Sequence, residues 1–333
     1  MWKFVILTIL FFITIFLISV ANSWIRLANR RKNARFGSDR ITVIRNFKIH
    51  YVEFGEGSPL ICLPDVWGGY RTWNPILPNL SREFRCICPD LMNVESRDQA
   101  GEFDFRPPKL ANFLIDFLER LNLDTASYLG FGYSGHIILE LAKHFPLRTG
   151  RSVIIEGFSA NQDEQKNPYQ SLLTIFQTPL IGSLYHIILT SGWMSYTHAR
   201  RKLQSKWNRM SELEKRNFSV DQALDLYYNE KSTFIKLLQI SLDPKGAKLD
   251  KLRIYSPILR LIGSESTFYK NIKPTISQFS KIPEITQWIV KDSIRELHWQ
   301  HPRWVAQVVT HYVKEQNIFA EPQQGGIWQV EPN

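Results

Sequence analysis

From residue 41 onward, short apolar runs alternate with segments of helical period, and that alternation leaves little choice but a mostly parallel sheet covered by helices on both faces. ITVIRNFKIHYVEFG (41–55) alternates as a hairpin does, and SPLICLP (58–64), FRCICPDL (84–91), ASYLGFG (126–132) and SVIIEGF (152–158) have the length and apolar content of buried strands. Between them, residues 70–80, LANFLIDFLERLNL (110–123) and GHIILELAKHF (135–145) have the spacing of helices, the last of them stopped by Pro146. Residues 159–250 break the rhythm with helical material and no clear strand, which reads as a helical cap inserted into the sheet domain. SPILRLIGS (256–264) and EITQWIVKDS (284–293) resume the strands, and HPRWVAQVVTHYVKEQ (301–316) closes with a helix. The tail, 317–333, contains Gly325 and Gly326 and is expected to be irregular.

The first forty residues belong to a different solvent. No charged residue occurs between Phe4 and Ile25, and at 1.5 Å per helical residue that run is about long enough for a ~30 Å hydrocarbon core. Trp2 and Trp24 stand at its ends as interfacial anchors would. Arg26, Arg30, Arg31, Lys32 and Arg35 then follow at once, which predicts a single-pass transmembrane helix with the folded domain in the cytoplasm. A cleaved signal peptide is the alternative, with Ala21, Asn22 and Ser23 as the small-residue site. The expected organisation is thus an anchor (1–25), a basic linker (26–40), a first half of the sheet domain (41–158), the cap (159–250), a second half (251–316) and the tail.

Composition narrows the function. With 333 residues, 44% hydrophobic and 22% charged, the chain can bury a large core, which excludes a disordered protein. The net charge of +10 is scattered and partly gathered beside the apolar run, so an anionic lipid surface accounts for it better than a nucleic acid. Cys62, Cys86 and Cys88 lie in strand-like stretches without CxxC spacing, and neither a metal site nor a cofactor motif is expected. The glycines of GFGYSG lack the spacing and the downstream acid of a dinucleotide fingerprint.

LGFGYSGHIILELA (129–142) reads as a strand, a sharp turn and a helix, the layout of a nucleophile elbow. The chain resembles the α/β-hydrolase superfamily here, in the cap-bearing group related to haloalkane dehalogenases and epoxide hydrolases, and the resemblance covers about residues 41–315. LGFGYSGHIILELAKHFP is similar to VGHSMGGxxALELAxxxP, LICLPDVWGGYRTW to the strand that ends in HG, and CPDLMNVESRD to APDLRGFGxSD. The resemblance implies an α/β-hydrolase fold and puts Gly132 where the nucleophilic serine belongs. Ser134 then falls two residues on, in the first turn of the helix. LRLIGSES is similar to LxxxGxxD, which places Ser266 at the acid that orients the catalytic histidine, while Glu156 matches the alternative acid position of some cap-bearing relatives. His298 in ELHWQHPRW matches the family histidine, with His301 the weaker candidate. Pro64 and Asp65 replace the family HG, leaving the amides of Val66 and Tyr133 as oxyanion donors.

Three departures in separate segments predict a membrane-anchored α/β-hydrolase-fold protein without the standard serine mechanism, keeping a capped apolar pocket for a lipophilic small molecule. The alternatives are a working hydrolase of lipophilic esters using Ser134, His298 and Glu156, or general-base chemistry by His298 with Asp65 as polar partner. The apolar segment PLIGSLYHIILTSGWM (179–194) is expected to pack against the sheet domain or to dip into the bilayer surface.

Overall fold

The computed structural model describes residues 2–33, 38–65, 68–91, 94–96, 103–157, 168–189, 253–266, 269–315 and 326–330, with scattered positions between 196 and 239. Among the described residues ten strands form one sheet: β1 (Ser38–Ile44), β2 (Phe47–Phe54), β3 (Ser58–Leu63), β4 (Phe84–Pro89), β5 (Glu95–Ser96), β6 (Ser127–Phe131), β7 (Ser152–Ile155), β8 (Ile258–Gly263), β9 (Ile285–Val290) and β10 (Gly326–Val330). Their order is β1-β2-β4-β3-β6-β7-β8-β9-β10, with β5 paired to β2. The hairpin β1–β2 and the β2–β4 pair are antiparallel, and every pair from β4 to β10 is parallel. The α/β-hydrolase architecture expected from the sequence is therefore present.

Strand alternation builds two cores, one on each face. Ile61, Leu63, Ile154 and Ile258 point to the face covered by α3 (Pro107–Arg120) and α4 (Ser134–His144). Leu60, Cys62, Val153, Ile155 and Leu259 point to the other, where Trp73, α2 (Leu77–Leu80) and α9 (Pro302–Val313) close over them. All three cysteines are buried free thiols.

Several boundaries differ from the sequence expectation. The basic linker is mostly helical, because the first helix, α1, runs from Trp2 to Asn33, and β1 already starts at Ser38. The segment 70–80 is two short turns of helix, a 3₁₀ turn at Tyr70–Trp73 and α2, because Pro75 and Pro78 prevent a longer one. The tail is not irregular throughout, since Gly326–Val330 adds to β9 in parallel; the exposed edge of β9 supplies hydrogen-bonding groups that a reading of Gly325 and Gly326 as breakers ignores. A helix at Tyr269–Phe279, α7, was not expected, because Pro274 interrupts its pattern.

Between 168 and 239 the described residues are helical where they form regular structure. Helices α5 (Pro168–Gln177) and α6 (Ile181–Leu189) pair, with Phe176 buried 5.5 Å from the Tyr185 ring. Ala199, Leu203, Trp207 and Phe218 pack on Ile294, and the Phe218 ring lies 4.2 Å from Trp299, so these residues rest on the loop after β9. Leu180, Ile181 and Leu184 are exposed, while residues 190–194 of the apolar segment 179–194 lie outside the described residues.

Along α1, Val5, Ile6, Leu7, Leu10, Phe11, Ile13, Ile15, Phe16, Leu17 and Ile18 are exposed. The side chains of residues 4, 9, 12, 19 and 22–33 are outside the description, and among the described residues no helix is long and apolar enough to cross a membrane.

One buried cation ties the second half of the sheet together. Arg260 on β8 is fully buried and donates to Thr275 Oγ1 and Gln287 Oε1, each at 3.1 Å, and to the Gly157 carbonyl, with its guanidinium 5.2 Å from the centre of the Phe279 ring. Burial pulls its pKa down and the charge of Glu156 pulls it back. Because an unanswered buried acceptor is costly, Arg260→Met is expected to lower stability by about 3 kcal/mol, read as a shift in the urea midpoint; an unchanged midpoint would show the network to be dispensable.

Candidate functional site

Sheet order reverses about β3, which has β4 on one side and β6 on the other, so the chain leaves the carboxyl ends of β3 and β6 in opposite directions. Such a switch point opens a crevice in parallel α/β sheets. Asp65, two residues beyond β3, and Gly132, directly after β6, meet there.

Gly132 has φ +59°, a left-handed turn that glycine adopts without strain. Its N–H bonds the Ile155 carbonyl at 3.1 Å and its carbonyl accepts from the Gly135 N–H at 3.1 Å, which carries the strand into α4. A Cβ added at Gly132 would lie 2.5 Å from both Cγ and Oδ1 of Asp65 and 2.7 Å from Nη2 of Arg295. The space above the elbow is thus filled by two side chains from other segments.

Those side chains form an ion pair. Asp65 Oδ1 accepts from the Tyr133 N–H at 2.9 Å, and Asp65 Oδ2 accepts from Arg295 Nη2. The guanidinium packs 4.3 Å from the centre of the Phe131 ring, and Glu296 Oε1 lies 3.6 Å from Arg295 Nη1. Asp65 is 8% exposed, so both partners act where water screens weakly and each charge depends on the other. Val66 lies outside the described residues.

Ser134, the first residue of α4, is buried and donates its hydroxyl to the Pro64 carbonyl. His298, on the short helix α8 (Leu297–Gln300), is fully buried with its ring 4.7 Å from Phe131 and 5.2 Å from Trp73. His301 makes a different contact, 3.1 Å from Ser293 Oγ at the start of α9. Trp299 donates Nε1 to the Thr72 carbonyl at 3.1 Å, fixing α8 against the turn that follows β3.

The two acid positions come together. Glu156 follows β7 at φ +60° and is buried; its Oε1 accepts the Gly263 N–H at 2.9 Å and its Oε2 accepts the Ser266 hydroxyl at 3.0 Å. Burial outweighs these bonds and the charges of Arg295 and Arg260, and pushes the carboxyl up to about 7. His136, on the first turn of α4, is pulled down to about 4, chiefly by burial and then by Arg260, with Asp65 opposing. Its imidazole is neutral at neutral pH. Neither His136 nor Arg295 stands out in the sequence: Arg295 lies three residues before His298 in a stretch whose family motif holds no arginine, and only the folded loop brings it to the elbow.

Among the described residues no group of three His, Cys, Asp or Glu could hold a metal ion.

No family model matches the chain. Over 126 residues it is 25% identical to the 2-hydroxy-6-oxo-2,4-heptadienoate hydrolase of Pseudomonas putida, covering 37% of this chain and 45% of that protein. Over 101 residues it is 27% identical to a soluble epoxide hydrolase of a Corynebacterium species, covering 30% of this chain and 35% of that one. The carboxylesterase of Bacillus subtilis has a similar structure, with a TM-score of 0.63 and 17% identity over 87% of this chain and 98% of that one. The fold is that of the α/β hydrolases, and these partial matches indicate that superfamily. The likeness to the two curated relatives spans less than half of their length, while the shared fold spans nearly all of the esterase.

The raised Glu156 carboxyl makes a pH prediction for this protein. A folded-state pKa near 7 against an ordinary value of 4.5 favours the protonated folded form, so the contribution is fully present below about pH 4.5 and is lost as pH rises through about 7. The loss amounts to about 3 kcal/mol. Glu156→Gln, which cannot titrate, is expected to remove this slope between pH 4.5 and 7; chemical denaturation across that range checks it, and equal slopes in both proteins would count against the assignment.

Proposed function

We propose that this chain is a membrane-anchored α/β-hydrolase-fold protein that has lost the standard serine mechanism and uses its capped domain for binding. The observation that carries the reading is the Asp65 carboxylate beside Gly132. It fills the volume into which an elbow side chain would project, and it takes up the Tyr133 amide, an oxyanion donor in active members of such folds. Ser134, the other hydroxyl near the turn, is turned onto the Pro64 carbonyl. An anionic carboxylate at that amide would also raise the energy of any tetrahedral oxyanion formed there.

The purified full-length protein is therefore expected to leave short-chain nitrophenyl esters intact and to take no label from a serine-directed fluorophosphonate. Gly132→Ser should restore neither, since its Cβ would collide with Asp65 and Arg295 and its φ is unfavourable for a side chain, and it should cost about 2 kcal/mol of stability. Turnover in the natural protein, abolished by Ser134→Ala, would instead support the alternative hydrolase of Ser134, His298 and Glu156.

Membrane anchorage is proposed from the sequence, which carries no charge from Phe4 to Ile25, and not from the described part of α1, where no stretch is long and apolar enough to cross a membrane. Basic residues follow that uncharged run, so the domain is proposed to face the cytoplasm. Resistance to alkaline carbonate extraction is expected, together with no glycan at the sequons Asn79 and Asn217 in a eukaryotic host. Release into the carbonate supernatant, or a glycan at either site, would refute the anchor or its orientation. A lipophilic small molecule is the proposed ligand class of the cap, and no nucleic acid is proposed as a partner.

A further inference from the structure

We propose that the Tyr133 amide and the Arg295 guanidinium form a carboxylate-binding cradle, and that Asp65 is its tethered resident, an internal ligand that keeps the elbow closed to external carboxylates and esters. The inference rests on the reading of Gly132 as the nucleophile position and specifies what the site recognises.

Three features of the geometry argue for it. Each oxygen of the Asp65 carboxylate has its own donor, Oδ1 the Tyr133 N–H and Oδ2 the Arg295 Nη2, and that two-point, charge-assisted arrangement suits a planar carboxylate. Both donors are also held by groups other than Asp65. The turn bearing Tyr133 is fixed by the Gly132 N–H on Ile155 and by the Gly135 N–H on Gly132, and Tyr133 donates its hydroxyl to the Phe105 carbonyl at 3.0 Å. Arg295 is placed by stacking on Phe131 and by Glu296. Finally, the carboxylate fits because residue 132 has no side chain: a single Cβ there would stand 2.5 Å from its carbon. The positive end of the α4 dipole adds to the same preference for an anion.

A tethered carboxylate competes at high effective concentration, so a free acid gains access only when the tether is removed. Full-length protein in detergent should therefore be compared by thermal unfolding in sodium acetate and in sodium chloride at equal ionic strength. Asp65→Ala opens the space and is expected to unfold about 2 °C higher in acetate than in chloride. The natural protein and Asp65→Asn, whose amide still fills the space, should show no difference, and Asp65→Ala with Arg295→Met should lose the response. A purely structural role for Asp65 predicts no acetate-specific rescue and no distinction between Ala and Asn. If Asp65→Ala cannot be isolated folded from chloride, recovery of folded protein from acetate supports the cradle and failure in both salts overturns it. So does an Asp65→Ala protein indifferent to acetate, or an acetate response shared by all four proteins. Ester turnover by the natural protein would overturn the functional reading separately, because the acetate comparison does not depend on activity.

Discussion

The contact between the Asp65 carboxylate and the Tyr133 amide sets the character of this molecule, because it joins the ends of the two central strands at the one place where a parallel sheet of this order opens a crevice. A carboxylate buried to this degree needs a compensating charge, and Arg295 supplies it from the loop after β9. The requirement then spreads outward. Arg295 must be stacked to be held, and Phe131, the last residue of β6, gives it a face while its edge meets His298. Three segments far apart in the chain are thereby fixed around a glycine.

Beside this pair lies a second set of buried charges with a different balance. Arg260 is satisfied mainly by neutral acceptors, Thr275, Gln287 and the Gly157 carbonyl, while Glu156 is bonded by the Gly263 amide and the Ser266 hydroxyl. Neutral partners compensate desolvation less completely than a direct counter-charge, which is why Glu156 is pushed up and Arg260 pulled down. Active acid–base sites in this fold class use a carboxylate to hold a histidine. Here the carboxylate at that end of the sheet is committed to backbone and to Ser266, and the His298 ring is packed between aromatic rings.

Much of the sheet was legible in the sequence because β-strand and helix periods differ, and the strands at 58–64, 84–91, 126–132, 152–158, 256–264 and 284–293 sit within a few residues of those observed. Less legible were segments in which a local signal opposed the tertiary outcome. Pro274 disguised α7, and the glycine pair disguised β10, whose stability comes from the open edge of β9 and not from its own residues. At the site, Gly132, Ser134, Glu156, Ser266 and His298 are singled out by the resemblance of their segments to α/β-hydrolase motifs. Arg295 and His136 are not, since their roles come from the neighbours that folding brings to them.

Sequence alone determined the doubly covered parallel sheet and the turn at Gly132, because each is written in spacing over fewer than twenty residues per element. It also marked Asp65 as an unexpected charge near an oxyanion donor. What only the tertiary structure decided is where that charge goes. Asp65 and Arg295 are separated by 230 positions, and no local pattern records that a carboxylate from one strand end and a guanidinium from a distant loop will occupy the volume left by a missing side chain. Burial makes their pairing strong, and burial is a property of the fold.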